Sequence, residues 1–132
     1  MLLEVSAATL PALFENVAAP LLAHLLDPAE IGETLQEKVV IDAEDVSSLL
    51  EAWLNALLAL VRDQQILPKR IAVQKIDTSP GKPYSVRSEI IGELRDPHRH
   101  TFRAPPQTLQ IEETLLQSDG NGWSAQISLR TA

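Results

Sequence analysis

An α+β fold is what this sequence predicts: a two-layer sandwich with two main helices packed on one face of a mostly antiparallel sheet. Three observations predict it. An apolar stripe at helical spacing runs through residues 46–61, with a second, weaker one before it. After Pro68 the hydrophobic period changes from 3.6 to 2, the mark of strands with one covered and one wet face. The 132 residues are 45% hydrophobic and 22% charged, so the chain makes one domain, 1–132, with enough apolar material for its own core. Helices and strands segregated by half suit helices laid on a sheet better than alternating βαβ units.

The elements follow in order. Leu2 to Ala7 is a short apolar stretch of strand character. Thr9 is an N-cap, with Pro11 tolerated in the first turn, where amide donors are unpaired anyway. Leu10, Leu13, Phe14, Val17, Leu21 and Leu25 then share a helical face until Asp27-Pro28 stops it. Pro20 inside this pattern deletes a backbone bond and crowds the preceding turn, so a kink or a break into two helices is expected. Lys38 to Asp42 is a brief strand. Val46, Leu49, Leu50, Trp53, Leu54, Leu57, Leu58 and Val61 make the strongest helix. Asp42, Glu44 and Asp45 at its start and Arg62 at its end suit the helix dipole.

Four strands complete the chain: Ile71 to Ile76, Tyr84 to Ile91, Thr108 to Leu116 and Gly122 to Arg130. The last alternates cleanly, with Trp123, Ala125, Ile127 and Leu129 on one face. Ser79 to Pro83 and Ser118 to Gly122 are turns, the second closing a hairpin.

Composition excludes several functions. There is no cysteine, hence no disulfide scaffold, thiolate zinc site or cysteine nucleophile. The net charge of −7 makes direct nucleic-acid binding unexpected, since that affinity comes from neutralised phosphates. The charge is lopsided: −9 over residues 1–68 and +2 over residues 69–132. No apolar run suits a membrane span, and Met1-Leu2-Leu3-Glu4 lacks a basic leader, so a soluble cytoplasmic protein without membrane contact is expected.

Asp96-Pro97-His98-Arg99-His100 is the densest polar patch. On an extended strand His98 and His100 would share a face, and with Asp96 or Glu93 could hold a metal; an exposed polar loop following a strand is the favoured reading, since no third ligand is fixed by spacing. Arg95, Arg99 and Arg103 recur around the patch and could form an anion-binding surface or simply solubilise it. Ser47-Ser48 has no base nearby and reads as no nucleophile. His24 sits among leucines as a packed residue, and Trp53 and Trp123 read as core. No catalytic residue is assigned.

The run Ala43-Glu44-Asp45 through Leu49-Leu50 and Trp53-Leu54-Asn55 to Leu57-Leu58 resembles the hallmark helix of the archease family, A-E-D-x-x-x-L-L-x-x-W-L-N-x-L-L. Thr9 to Ala19 resembles that family's first helix. Gly92-Glu93, Asp96 and Arg99-His100 resemble its G-E-x-x-D-x-x-R-H segment, and Gly122-Trp123-Ser124-Ala125 its final G-W-x-A strand. These matches occur in family order over nearly the whole chain. The resemblance implies an archease-like fold and a small metal-binding accessory protein. Such a protein activates the tRNA-splicing RNA ligase rather than sealing RNA itself.

Departures from the pattern also matter. The family's H-T-A-D strand, whose Asp contributes to the metal site, would lie before Met1-Leu2-Leu3-Glu4-Val5. Arg130 stands where the family has a C-terminal Asp, and Arg103-Ala104-Pro105-Pro106-Gln107-Thr108 replaces K-A-x-T-Y-H. A hard divalent cation needs several oxygen ligands, so no metal and no other cofactor is expected. Asp96, His98, Arg99, His100, Arg103 and Arg130 are the candidate partner-binding residues, Arg130 standing where its positive charge would replace that of the missing cation. An RNA ligase protein is the expected partner, and a homo-oligomer through an open sheet edge is compatible with the sequence. The alternative is a fold-only descendant acting as an interaction module, without a role in RNA repair.

Overall fold

The computed structural model describes residues 2–104, 109–118 and 120–131. Eight elements follow one another: β1 (Leu2–Ala7), α1 (Leu10–Leu25), β2 (Leu35–Ala43), α2 (Val46–Asp63), β3 (Ile66–Asp77), β4 (Tyr84–Leu94), β5 (Leu109–Ser118) and β6 (Trp123–Thr131). The class is the expected α+β one. Its strands, however, form two three-stranded antiparallel sheets, ordered β1-β6-β5 and β2-β4-β3, rather than a single layer. Each helix packs against strands of both sheets. The alternation pattern specifies which face each strand buries but not which neighbour it pairs with.

Thr9 caps α1 by accepting the amide of Ala12, and Asp45 caps α2 by accepting that of Ser48 at 2.7 Å. The acidic run before α2 is therefore helix-start chemistry, as its position suggests. α1 is one unbroken helix through Pro20, so of the kink or break expected there the break does not occur. Pro20 is exposed while Val17, Ala18 and Leu21 around it are buried, so packing holds the helix together across the missing bond. At its end Asp27 accepts the amide of Ala29 and starts a short 3-10 turn, Pro28–Glu30.

The core centres on α2. Leu49, Leu50, Trp53, Leu54, Leu57 and Leu58 are fully buried against Phe14, Val86, Ile90 and Ile127. Trp53 stacks obliquely on Phe14, with centroids 5.4 Å apart. Its indole N–H donates to Ser88 Oγ at 2.8 Å, and that hydroxyl donates to the Val39 carbonyl at 3.1 Å. The one polar atom of the largest core side chain is thus satisfied through a serine on β4. Trp123 packs against the core but is only half-buried.

β2 and β3 are longer than their sequence patterns suggest. β3 begins at Ile66 and carries Pro68 within it, tolerated because β3 is an edge strand and its register with β4 shifts just after Pro68. Opposite lies Gly92, where a Cβ would sit 1.9 Å from the Leu67 carbonyl oxygen. Only glycine lets the two backbones come this close. Ser118 pairs with Trp123, as the hairpin requires, and Gly120 has φ +85°. Asp119 of the expected hairpin turn and Pro105 to Thr108, including the expected strand start at Thr108, lie outside the described residues. Among the described residues no helix is long and apolar enough to cross a membrane.

Candidate functional site

Residues 93–103 follow β4 and make the polar patch. Glu93, in the last turn of the strand pairing, is buried and faces three donors. The amide of Gly32 reaches its Oε1 at 2.8 Å. Arg99 grips both oxygens, Nη2 to Oε1 at 3.1 Å and Nη1 to Oε2 at 3.2 Å. His100 Nε2 meets Oε1 at 2.7 Å. The Gly32 amide first, then Arg99, outweigh the cost of burial and hold this carboxyl down to about 2.

The turn that delivers these donors is built by Asp96. Its Oδ1 accepts the His98 amide, and its carbonyl accepts the amides of Arg99 and His100. Its own amide donates to His100 Nδ1 at 2.8 Å. That bond fixes the tautomer: Nδ1 is an acceptor, so Nε2 carries the proton and donates to Glu93. With both ring nitrogens committed, His100 offers no free base and no metal lone pair.

The flanks are tied as firmly. The Arg95 amide donates to the carbonyl of Gln65, which takes φ 57° to present it, and the Arg95 guanidinium lies 4.6 Å from the Phe102 ring centroid. The Arg103 amide donates to the Leu25 carbonyl at 2.6 Å and its Nη1 to that of Ala23 at 3.1 Å. Nη2 lies 3.5 Å from Asp27. Arg103 therefore closes the C-terminal end of α1, where unpaired carbonyls favour a cation.

These contacts decide between the paired readings that the sequence offers for the patch. His98 and His100 sit in a turn rather than a strand, one exposed and the other 2% exposed, so their rings do not share a face. The arginines are no free anion surface, because Glu93 and Asp27 neutralise Arg99 and Arg103. Of the candidates, Asp96, His98, Arg99 and His100 come together in one turn, and Arg103 follows at the helix end. Arg130 is elsewhere, on β6, bonded to Gln110 and 3.4 Å from Glu112 on β5. Sequence reasoning missed Gly32, whose only signal was a glycine before a strand, and named Glu93 as an optional ligand and as part of the G-E-x-x-D-x-x-R-H resemblance, not as the carboxylate that gathers the turn.

The archease protein family matches residues 1–129 of this chain. The chain belongs to the archease family. The protein archease of Methanosarcina acetivorans is 31% identical over 120 residues, covering 90% of this chain and 81% of the relative. That of Pyrococcus furiosus is 28% identical over 120 residues, covering 90% and 83%. The solution structure of Methanobacterium thermoautotrophicum protein 1598 has a TM-score of 0.72 at 17% identity, covering 98% of this chain and 89% of that one, which extends the likeness to the fold.

Membership sharpens the question of the metal that the archease resemblance implies. At the end of β6 the side chain present is the Arg130 guanidinium, which has no lone pair to give and carries the wrong charge. Among the described residues no three His, Asp or Glu side chains converge as a metal cluster. The residues described do not fit a divalent ion.

Proposed function

We propose that this archease-family protein is a non-catalytic accessory factor of a tRNA-splicing RNA ligase, and that it docks on the ligase through residues 96–103. The observation that carries this reading is the division of labour inside the family's G-E-x-x-D-x-x-R-H segment. Glu93 accepts from Gly32, Arg99 and His100, Asp96 accepts from the amides of His98, Arg99 and His100, and both His100 ring nitrogens are bonded within the segment, which makes a rigid turn. Pro97, His98 and Arg99 are exposed on its outside. A preorganised turn with exposed side chains suits recognition of a protein surface, because little entropy is lost on docking. With His100 committed to the turn, it supplies no acid or base for catalysis. A cytoplasmic site of action, beside the ligase, goes with this proposal.

The test uses the RNA ligase of the same cell, with guanylylation of the ligase as readout. Adding the protein is expected to accelerate that step, and His98→Glu to weaken the acceleration by about tenfold while thermal stability stays unchanged. Arg130 in place of a carboxylate favours the second reading, an interaction module unconnected with RNA repair. Failure of the protein to bind the ligase at all would select it.

A further inference from the structure

A groove of about 380 Å³ lies between α1 and the edge strand β3, well away in sequence from residues 96–103. Ala19 and Leu22 of α1 and Ile71 of β3 give it an apolar wall. The outer edge of β3 faces it. At one end that edge is capped: Glu15 of α1 accepts the Val73 amide at 2.8 Å. A carboxylate here does what a neighbouring strand would do. From Ile71 to Val73 the register with β4 is unshifted, so the alternation of an antiparallel ladder turns the Ile71 N–H and C=O the same way as those of Val73. No side chain among the described residues caps Ile71.

The other end of the groove is basic. Lys69 Nζ donates to the carbonyls of Ile31 at 2.9 Å and Pro28 at 3.4 Å, so its charge is held in place by neutral acceptors. Arg70, beside it, pairs with Glu33 and remains exposed. An open strand edge, an apolar helix wall and an uncompensated ammonium together describe a complementary ligand: extended, apolar on alternate residues and acidic between them. Such a segment would hydrogen-bond to Ile71, set its small apolar side chains against Ala19 and Leu22, and place a carboxylate near Lys69.

We propose that this groove receives an extended acidic segment of a partner protein as an added strand on β3. The inference is independent of the ligase reading and stands or falls separately. The probe is an acetylated, amidated peptide of about six residues, strand length, alternating valine and glutamate; its valine–lysine counterpart is the control. Amide NMR spectra of the whole protein should shift at Ile71, Ala19 and Leu22 at about millimolar peptide, the weak end of specific binding. The Ile71 amide should exchange more slowly in the complex. Ala19→Trp, which fills the groove from the exposed side of α1, and Lys69→Gln should each weaken binding by about tenfold or more, with folding confirmed by circular dichroism. The inference is overturned if neither peptide shifts these amides, if the lysine peptide binds as well, or if Ala19→Trp binds normally. Sedimentation showing that the groove is instead filled by a second copy of the chain would equally end it.

Discussion

Ser88→Ala tests how the core tolerates its largest aromatic side chain. Ser88 is fully buried on β4, and its hydroxyl both accepts from the Trp53 indole and donates to the Val39 carbonyl. Removing it orphans a buried N–H, which costs about 1–3 kcal/mol. Trp53→Phe removes the N–H together with part of the ring that meets Phe14, and cavity formation sets its cost at about 2 kcal/mol. The two costs overlap. In the double variant no orphaned N–H remains, so its destabilisation should fall short of the sum of the singles by about 1 kcal/mol or more. Urea unfolding followed by far-ultraviolet circular dichroism, with equal m-values as a check on two-state behaviour, measures all four corners of the cycle. Strict additivity would refute the reasoning, since it would mean that the serine and the indole do not depend on each other.

Two further outcomes follow from the same kind of argument. Gly92→Ala places a methyl 1.9 Å from the Leu67 carbonyl oxygen, backbone against backbone, so β3 and β4 must separate. The expected loss is about 3 kcal/mol or more, read as a lower thermal midpoint, with Gly120→Ala costing less because its added Cβ meets nothing. The Glu93 carboxyl, held down to about 2 from 4.5, adds stability that is fully present above pH 4.5 and disappears as pH falls through about 2. Glu93→Gln should flatten the acid limb of a stability–pH profile over that window. An unchanged slope would mean that the Gly32, Arg99 and His100 contacts do not discriminate the charged form.

The wrapping of residues 93–103 shows where sequence reasoning reached and where it stopped. Arg99 and His100 were recognisable as a motif, but their common target was not, because Gly32 and Glu93 are joined only when the segment before β2 folds back on the end of β4. Likewise Arg103 reads as one more surface charge until its guanidinium is found on the last carbonyls of α1. Such contacts depend on the ends of elements distant in the chain.

By itself, the sequence determined the helices and the cores of the strands, the buried faces of α1, α2 and β6, the capping of α1 and α2 and the family. These are properties of local period and local hydrogen bonding, and they are written residue by residue. Only the tertiary structure decided that the six strands divide into two sheets, that α1 runs unbroken through Pro20, and that His98 and His100 point to different surroundings. Pairing and side-chain environment are set by which distant surfaces meet, and a hydrophobic pattern specifies that a face is buried without naming what covers it.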